Sequence, residues 1–157
     1  MYGSALERLA RAYETDADRS RDLLQDIHVA LWQSLARFEG RCSMRTWVYR
    51  VAHNVATSQV IRRRLGAPTL VGLDELDETP APSDTDRALD AHRALERLQA
   101  LVHRLKPLDR QLMLLYLEGV DAASIGEVTG LSAGNVATKI HRIKAVLARR
   151  FHQGRAQ

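Results

Sequence analysis

Residues 120–150, VDAASIGEVTGLSAGNVATKIHRIKAVLARR, admit few folds. From Ser132 onward Val136, Ile140, Ile143, Leu147 and Phe151 recur at steps of four and three, the period of a helix with one apolar stripe. That stripe must be buried. A shorter helical segment precedes it, and Gly130-Leu131-Ser132 between the two has the chemistry of a sharp turn. Gly130 tolerates the left-handed backbone that ends a helix, Leu131 fills the angle, and Ser132 offers an oxygen to the open N–H groups of the next helix. The spacing therefore predicts a helix-turn-helix. At roughly 100° per residue, the polar side of its second helix holds Gly134, Asn135, Thr138, His141, Arg142 and Arg149, flanked by Lys139 and Lys144.

Charge along the chain sharpens this reading. No Asp or Glu occurs from Leu131 to Gln157, whereas Lys139, Arg142, Lys144, Arg149, Arg150 and Arg155 are all cationic, a composition suited to phosphate. The same pattern also describes a plain helical hairpin with a solvated basic face, so the rest of the chain must decide. A net charge of +4 says little by itself; its segregation says more. Between Arg41 and Arg64 there is again no acid, with arginines at 41, 45, 50, 62, 63 and 64, while Asp74, Glu75, Asp77, Glu78, Asp84 and Asp86 crowd the middle.

At 157 residues the chain accommodates one domain or two small ones. Few aromatics, abundant Ala, Leu and Arg, and no sustained alternation of apolar and polar residues predict an all-α protein. Helical periodicity marks residues 4–14 and 20–37, with Leu24, Ile27, Leu31 and Leu35 on one face of the second segment. Gly40 breaks the pattern. Ser43 can cap a third helix to about Arg64, with Met44, Trp47, Val48, Val51 and Val55 inward and Thr46, Tyr49, Arg50, His53 and Thr57 outward. From Gly66 to about Thr85 the composition is that of a flexible acidic linker. A further helix, with Ser83 and Asp86 at its start, runs to about Leu105, Lys106-Pro107 ends it, and another follows at 108–118. The expected organisation is two small helical modules, 1–65 and 86–157, joined by residues 66–85.

Enzyme chemistry finds little support. The six histidines show no paired ligand spacing, no Gly-rich phosphate loop is present, and the single cysteine, Cys42, has neither a disulfide partner nor a thiolate cluster for zinc. Neither a catalytic site, a metal nor a cofactor is expected. Without an apolar stretch approaching ~20 residues, membrane insertion is not expected either, and the reading is a cytoplasmic protein.

Two segments are familiar. RDLLQDIHVALW with RFEGRCSMRTWVYRVAHNVA and the arginines that follow resembles region 2 of bacterial RNA polymerase sigma factors, and LKPLDRQLMLLYLEG with SIGEVTGLSAGNVATKIHRIKAVL resembles their region 4. With only a short acidic stretch between them, the chain is similar to the extracytoplasmic-function (ECF) class of the sigma-70 family. It departs from the pattern in two places. The family's first helix normally begins earlier, implying a trimmed start or a short first helix, and Gly126 stands where the family usually has Ala, a change costing up to ~1 kcal/mol of helix stability.

The resemblance implies two partners, core RNA polymerase and promoter DNA, and allows for an anti-sigma factor as a third. It implies polymerase docking by Asp22, Gln25, Asp26 and Trp32. Acidic and amide groups at spacings of three and four can pair with a basic helix; alternatively they form a solvated face, with Trp32 in the core. Minus-ten DNA falls to Arg41, Ser43, Arg45, Tyr49, Arg50, His53 and Asn54, with Arg62, Arg63 and Arg64 on phosphates. For the minus-thirty-five element the candidates are Ser132, Asn135, Thr138, Lys139 and Arg142, because the first half of a recognition helix reaches deepest into the major groove. The acidic linker is either a solvated tether or a mimic of nucleic acid in the polymerase's RNA channel. A stand-alone helix-turn-helix regulator is the alternative, although residues 1–64 resemble neither a ligand-binding nor a phosphoacceptor domain.

Overall fold

A computed structural model describes residues 1–64 and 87–153. These fold into helices α1 (Gly3–Tyr13), α2 (Ala17–Ser34), α3 (Met44–Arg64), α4 (Arg87–Arg104), α5 (Pro107–Leu117), α6 (Ala122–Thr129) and α7 (Ala133–Gln153), with one turn of 3-10 helix (Leu35–Arg37) after α2. No strand occurs among the described residues. The expected linker at 66–85 and the Ser83/Asp86 cap lie outside them.

Helix starts follow local chemistry. The Asp16 carboxylate accepts the Arg19 N–H (2.9 Å) at the head of α2, Ser43 accepts the Thr46 N–H (3.0 Å) at the head of α3, and Asp121 accepts the Ser124 N–H (3.0 Å) at the head of α6. Each cap satisfies a donor that the helix itself leaves open. Pro107 opens α5, where its missing N–H costs nothing.

Amphipathic faces then assemble the core. Leu6, Leu9, Leu23, Ile27, Val48, Ala52, Ala56 and Val60 are buried in the N-terminal bundle, and Val102, Leu105, Leu112, Leu115, Ile125, Val136, Ile140, Ile143 and Leu147 in the C-terminal one. Each large aliphatic side chain among them contributes about 1.5–3 kcal/mol by leaving water. The two sets join in one continuous cluster. What joins them is α3, which packs on α1 and α2 on one side and on α5 and α6 on the other, while α1 also meets α4.

That two-sided burial corrects the expected faces of α3. Thr46, Tyr49 and His53, expected outward, are 3%, 3% and 1% exposed, whereas Met44, expected inward, is 39% exposed, and Val51 and Val55 are only partly covered. Leu35, assigned to the apolar face of α2, is also largely in water. One helix covered from two directions has no single polar side, and periodicity assumes one.

Candidate nucleic-acid interface

The helix-turn-helix forms as its residues dictate. Gly130 takes φ 79° and ends α6, its N–H donating to the Gly126 carbonyl (2.8 Å), and the Ser132 hydroxyl accepts the Asn135 N–H (3.3 Å) at the start of α7. Leu131 packs against the core beneath the turn. Val136, Ile140, Ile143 and Leu147 anchor α7, so Ser132, Gly134, Asn135, Thr138, His141, Arg142 and Arg149 face outward, with Lys139 half-buried. The Thr138 hydroxyl donates to the Gly134 carbonyl (3.0 Å), which fixes its rotamer and leaves its lone pairs outward. Lys144 turns aside to the Tyr116 hydroxyl (3.0 Å).

The N-terminal candidates divide. Arg41, Ser43, Asn54 and Arg62 are exposed, and Arg41 pairs with Glu39 (2.7 Å). Phe38 packs on Trp47, ring centroids 5.4 Å apart, and holds the loop that precedes α3. His53 leaves the nucleic-acid face altogether: it is fully enclosed, its Nδ1 hydrogen-bonds the Tyr13 hydroxyl (2.9 Å), and burial pushes its pKa down to about 3, so it is a neutral core residue. Burial likewise pushes Tyr13 up to about 12, and Arg110 from the C-terminal half lies over its ring at 5.5 Å. Arg63 pairs with the largely buried Glu14 carboxylate while its own side chain stays 44% exposed. The Arg64 side chain lies outside the described residues.

Arg45, Tyr49 and Arg50 meet the C-terminal half. Arg45 donates to the Glu118 carbonyl oxygen (2.5 Å), Arg50 to the Glu127 carbonyl oxygen (2.8 Å), and Tyr49 is covered, its hydroxyl 3.4 Å from the Glu118 carboxylate. That carboxylate also accepts two hydrogen bonds from Arg8 (2.7 and 2.8 Å), which hold its pKa below the usual range against the opposing effect of burial. Neither Arg8 nor Glu118 is visible as a functional residue in the sequence, because 110 positions separate them.

The face of α2 is simpler. Asp22, Gln25, Asp26, Val29 and Trp32 form one exposed stripe, with Trp32 79% and Val29 46% in water. Trp32 is thus a surface residue. Gln59 donates to the Asp26 carboxylate (2.5 Å) and pins it. Beside this stripe Trp32 and Leu35 join Tyr2, Leu31, Met44 and Trp47 around an apolar groove of about 230 Å³.

Among the described residues the fold is all helical, and a capped helix-turn-helix that turns amide, hydroxyl and guanidinium groups to solvent is the form that DNA-binding proteins use. Comparison with known proteins places it more closely. Residues 1–65 match the model for sigma-70 region 2 and residues 95–147 the model for sigma-70 region 4. The RNA polymerase sigma factor NccH of Alcaligenes xylosoxydans is 26% identical over 93% of this chain and 80% of its own length, and CnrH of Cupriavidus metallidurans is 28% identical over 94% and 81%. The ECF sigma factor SigX of Bacillus subtilis is 27% identical over 84% and 70%. Among solved structures, the sigma factor RpoE of Bartonella quintana, in complex with the anti-sigma factor NepR, shares the fold with a TM-score of 0.70 at 17% identity, over 96% of this chain and 91% of that one. The chain belongs to the sigma-70 family, in the ECF class, and directs RNA polymerase to promoters. Members of this family are transcription initiation factors rather than enzymes. A region 2 match across residues 1–65 does not favour the stand-alone regulator. No helix among the described residues is long and apolar enough to cross a membrane.

Proposed function

We propose that three surfaces divide the work of initiation between the expected units, 1–65 and 86–157. Asp22, Gln25, Asp26 and Trp32 dock on core polymerase, Arg41, Ser43, Arg45, Arg50, Asn54 and Arg62 hold the minus-ten element, and Ser132, Asn135, Thr138, Lys139 and Arg142 read the minus-thirty-five element. The observation that carries this reading is the outward face of α7, where an amide, a hydroxyl and a guanidinium stand within the first three turns of a helix locked from behind by Val136 and Ile140. Such groups discriminate base edges in the major groove. Supporting the docking role, Trp32 is a large indole left in water on an acidic face, the type of side chain that anchors protein interfaces. The protein works in the cytoplasm, where polymerase and promoter meet.

An anti-sigma protein is a further partner. RpoE and CnrH, whose folds this chain shares, were solved with NepR and with the cytosolic domain of CnrY. Runoff transcription with core polymerase over a genomic promoter library tests the function and identifies the promoter together. Transcripts sharing an upstream and a downstream element at fixed spacing are expected, and transcription lost with Trp32→Ala or Arg142→Ala assigns the surfaces. Failure to direct transcription from any fragment would overturn the reading.

A further inference from the structure

Four large apolar side chains left in water stand together on α2 or beside it: Trp32 is 79%, Leu35 51%, Val29 46% and Met44 39% exposed. Trp32 is both a knob and a wall. Its indole projects from α2, and it borders the apolar groove that Tyr2, Leu31, Leu35, Met44 and Trp47 complete. A knob and a groove side by side are self-complementary, because a two-fold axis beside Trp32 carries each indole to the groove of the other copy. Charge on the same face runs one way. Asp16, Asp18, Asp22 and Asp26 outnumber Arg19 and Arg21 toward the start of α2, while Arg37 and Arg41 follow its end. Arg21 pairs with Asp18, Gln59 with Asp26 and Arg41 with Glu39, whereas the exposed Asp22 and Arg37 have no partner among the described residues. Antiparallel α2 helices bring these unlike ends together. Asp22 lies about 15 Å before Trp32 along the helix and Arg37 about 9 Å after it, so across such an axis they are offset by about 6 Å, within the reach of an arginine side chain.

We propose that this face is a homodimer interface, in which two copies pair α2 antiparallel, seat Trp32 in each other's groove and join Asp22 to Arg37 of the second copy. The apolar area is small and centred on one aromatic, which suits a weak, reversible dimer with a dissociation constant of about 10 μM or above. The stripe is the one assigned above to core polymerase, so a paired copy must separate before it docks. That consequence rests on the docking assignment; the dimer does not.

Sedimentation velocity of the full-length protein over a concentration series reads the association, with circular dichroism of each variant as the check on folding. Wild type should pass from monomer to dimer, and Trp32→Ala should weaken the dimer at least tenfold. Asp22→Arg sets like charges together twice across the axis, as does Arg37→Asp, and each alone should weaken the dimer by a similar factor. Mixed in equal amounts, these two variants should associate about as tightly as wild type, because both contacts of the mixed dimer again join an arginine to an aspartate. Glu96→Arg, with the same change in net charge at an exposed site on α4, should dimerise as wild type does. A wild type that stays monomeric well above the expected constant would overturn the proposal and leave the groove to polymerase. A mixture no tighter than either variant alone would overturn the antiparallel arrangement. Core polymerase added to the fluorescently labelled dimer should separate it. A dimer that persists on polymerase would overturn the competition and the docking assignment with it, while the interface between copies would stand.

Discussion

A methyl group on Gly126 would lie 2.5 Å from the carbonyl oxygen of Leu131, closer than carbon and main-chain oxygen approach one another. The glycine that weakens α6 on propensity is thus what lets the helix lie against its own turn.

Gly126→Ala should therefore destabilise the protein. Helix propensity favours the alanine by up to ~1 kcal/mol, but overpacking against backbone costs about 1–3 kcal/mol. Gly134→Ala, with nothing within 4 Å of the added carbon, should be neutral or mildly stabilising. Thermal unfolding of both variants by circular dichroism checks the sign. A higher Tm for Gly126→Ala would show that the turn relaxes freely.

Acid should weaken the fold through His53. Its folded pKa of about 3 is below the unfolded value of about 6.5, so the unfolded chain binds the extra proton first and stability falls as pH drops through that window. At pH 5 the loss is about 2 kcal/mol relative to pH 7.5. Glu118 is also depressed, so its contribution is fully present above the ordinary carboxylate range and is lost only at lower pH. Chemical denaturation of the wild type and of His53→Gln at the two pH values separates the histidine, whose slope should disappear in the variant.

The halves of this molecule were unequally legible. On α7 one side is buried and the other open, so the steps from Val136 to Leu147 identify both. On α3 the aromatic and imidazole side chains of Tyr49 and His53 resemble a stacking surface in sequence, yet packing from two directions buries them, with Ala52 and Ala56 fully enclosed. Long-range pairs carried no local signal. Glu14 holds Arg63 across 49 residues and Glu118 holds Arg8 across 110, and nothing in either neighbourhood announces the partner. The exposure of Trp32 had a weaker signal, since it lies one residue, ~100° of helix, beyond Leu31 on the covered face.

On the upstream element, Arg142→Ala or Asn135→Ala should cost roughly 1–3 kcal/mol on cognate DNA and relax the preference at the contacted bases. Arg62→Ala, an exposed cation at the end of α3, should instead weaken cognate and scrambled DNA about equally. Holoenzyme binding to both fragments checks the contrast. Equal losses for Arg142→Ala would remove α7 from sequence reading.

Dependence on polymerase should reside in the exposed stripe of α2, where assembly and folding can be separated. Asp26 is a poor choice for this purpose because Gln59 donates to it, so a lysine there would strand a bond to α3 as well as reverse a charge. Asp22 and Trp32 are better placed, the first exposed and the second 79% in water. Asp22→Lys and Trp32→Ala should each leave the free energy of unfolding within about 0.5 kcal/mol of wild type, since exposed side chains contribute little to stability. Each should nevertheless reduce co-purification with core polymerase by at least tenfold, because like-charge contact at an interface and the loss of a buried aromatic anchor both cost about 2 kcal/mol or more. Well-folded variants that assemble undiminished would place the docking surface elsewhere, and the apolar groove between Trp32 and Met44 would be the next region to probe.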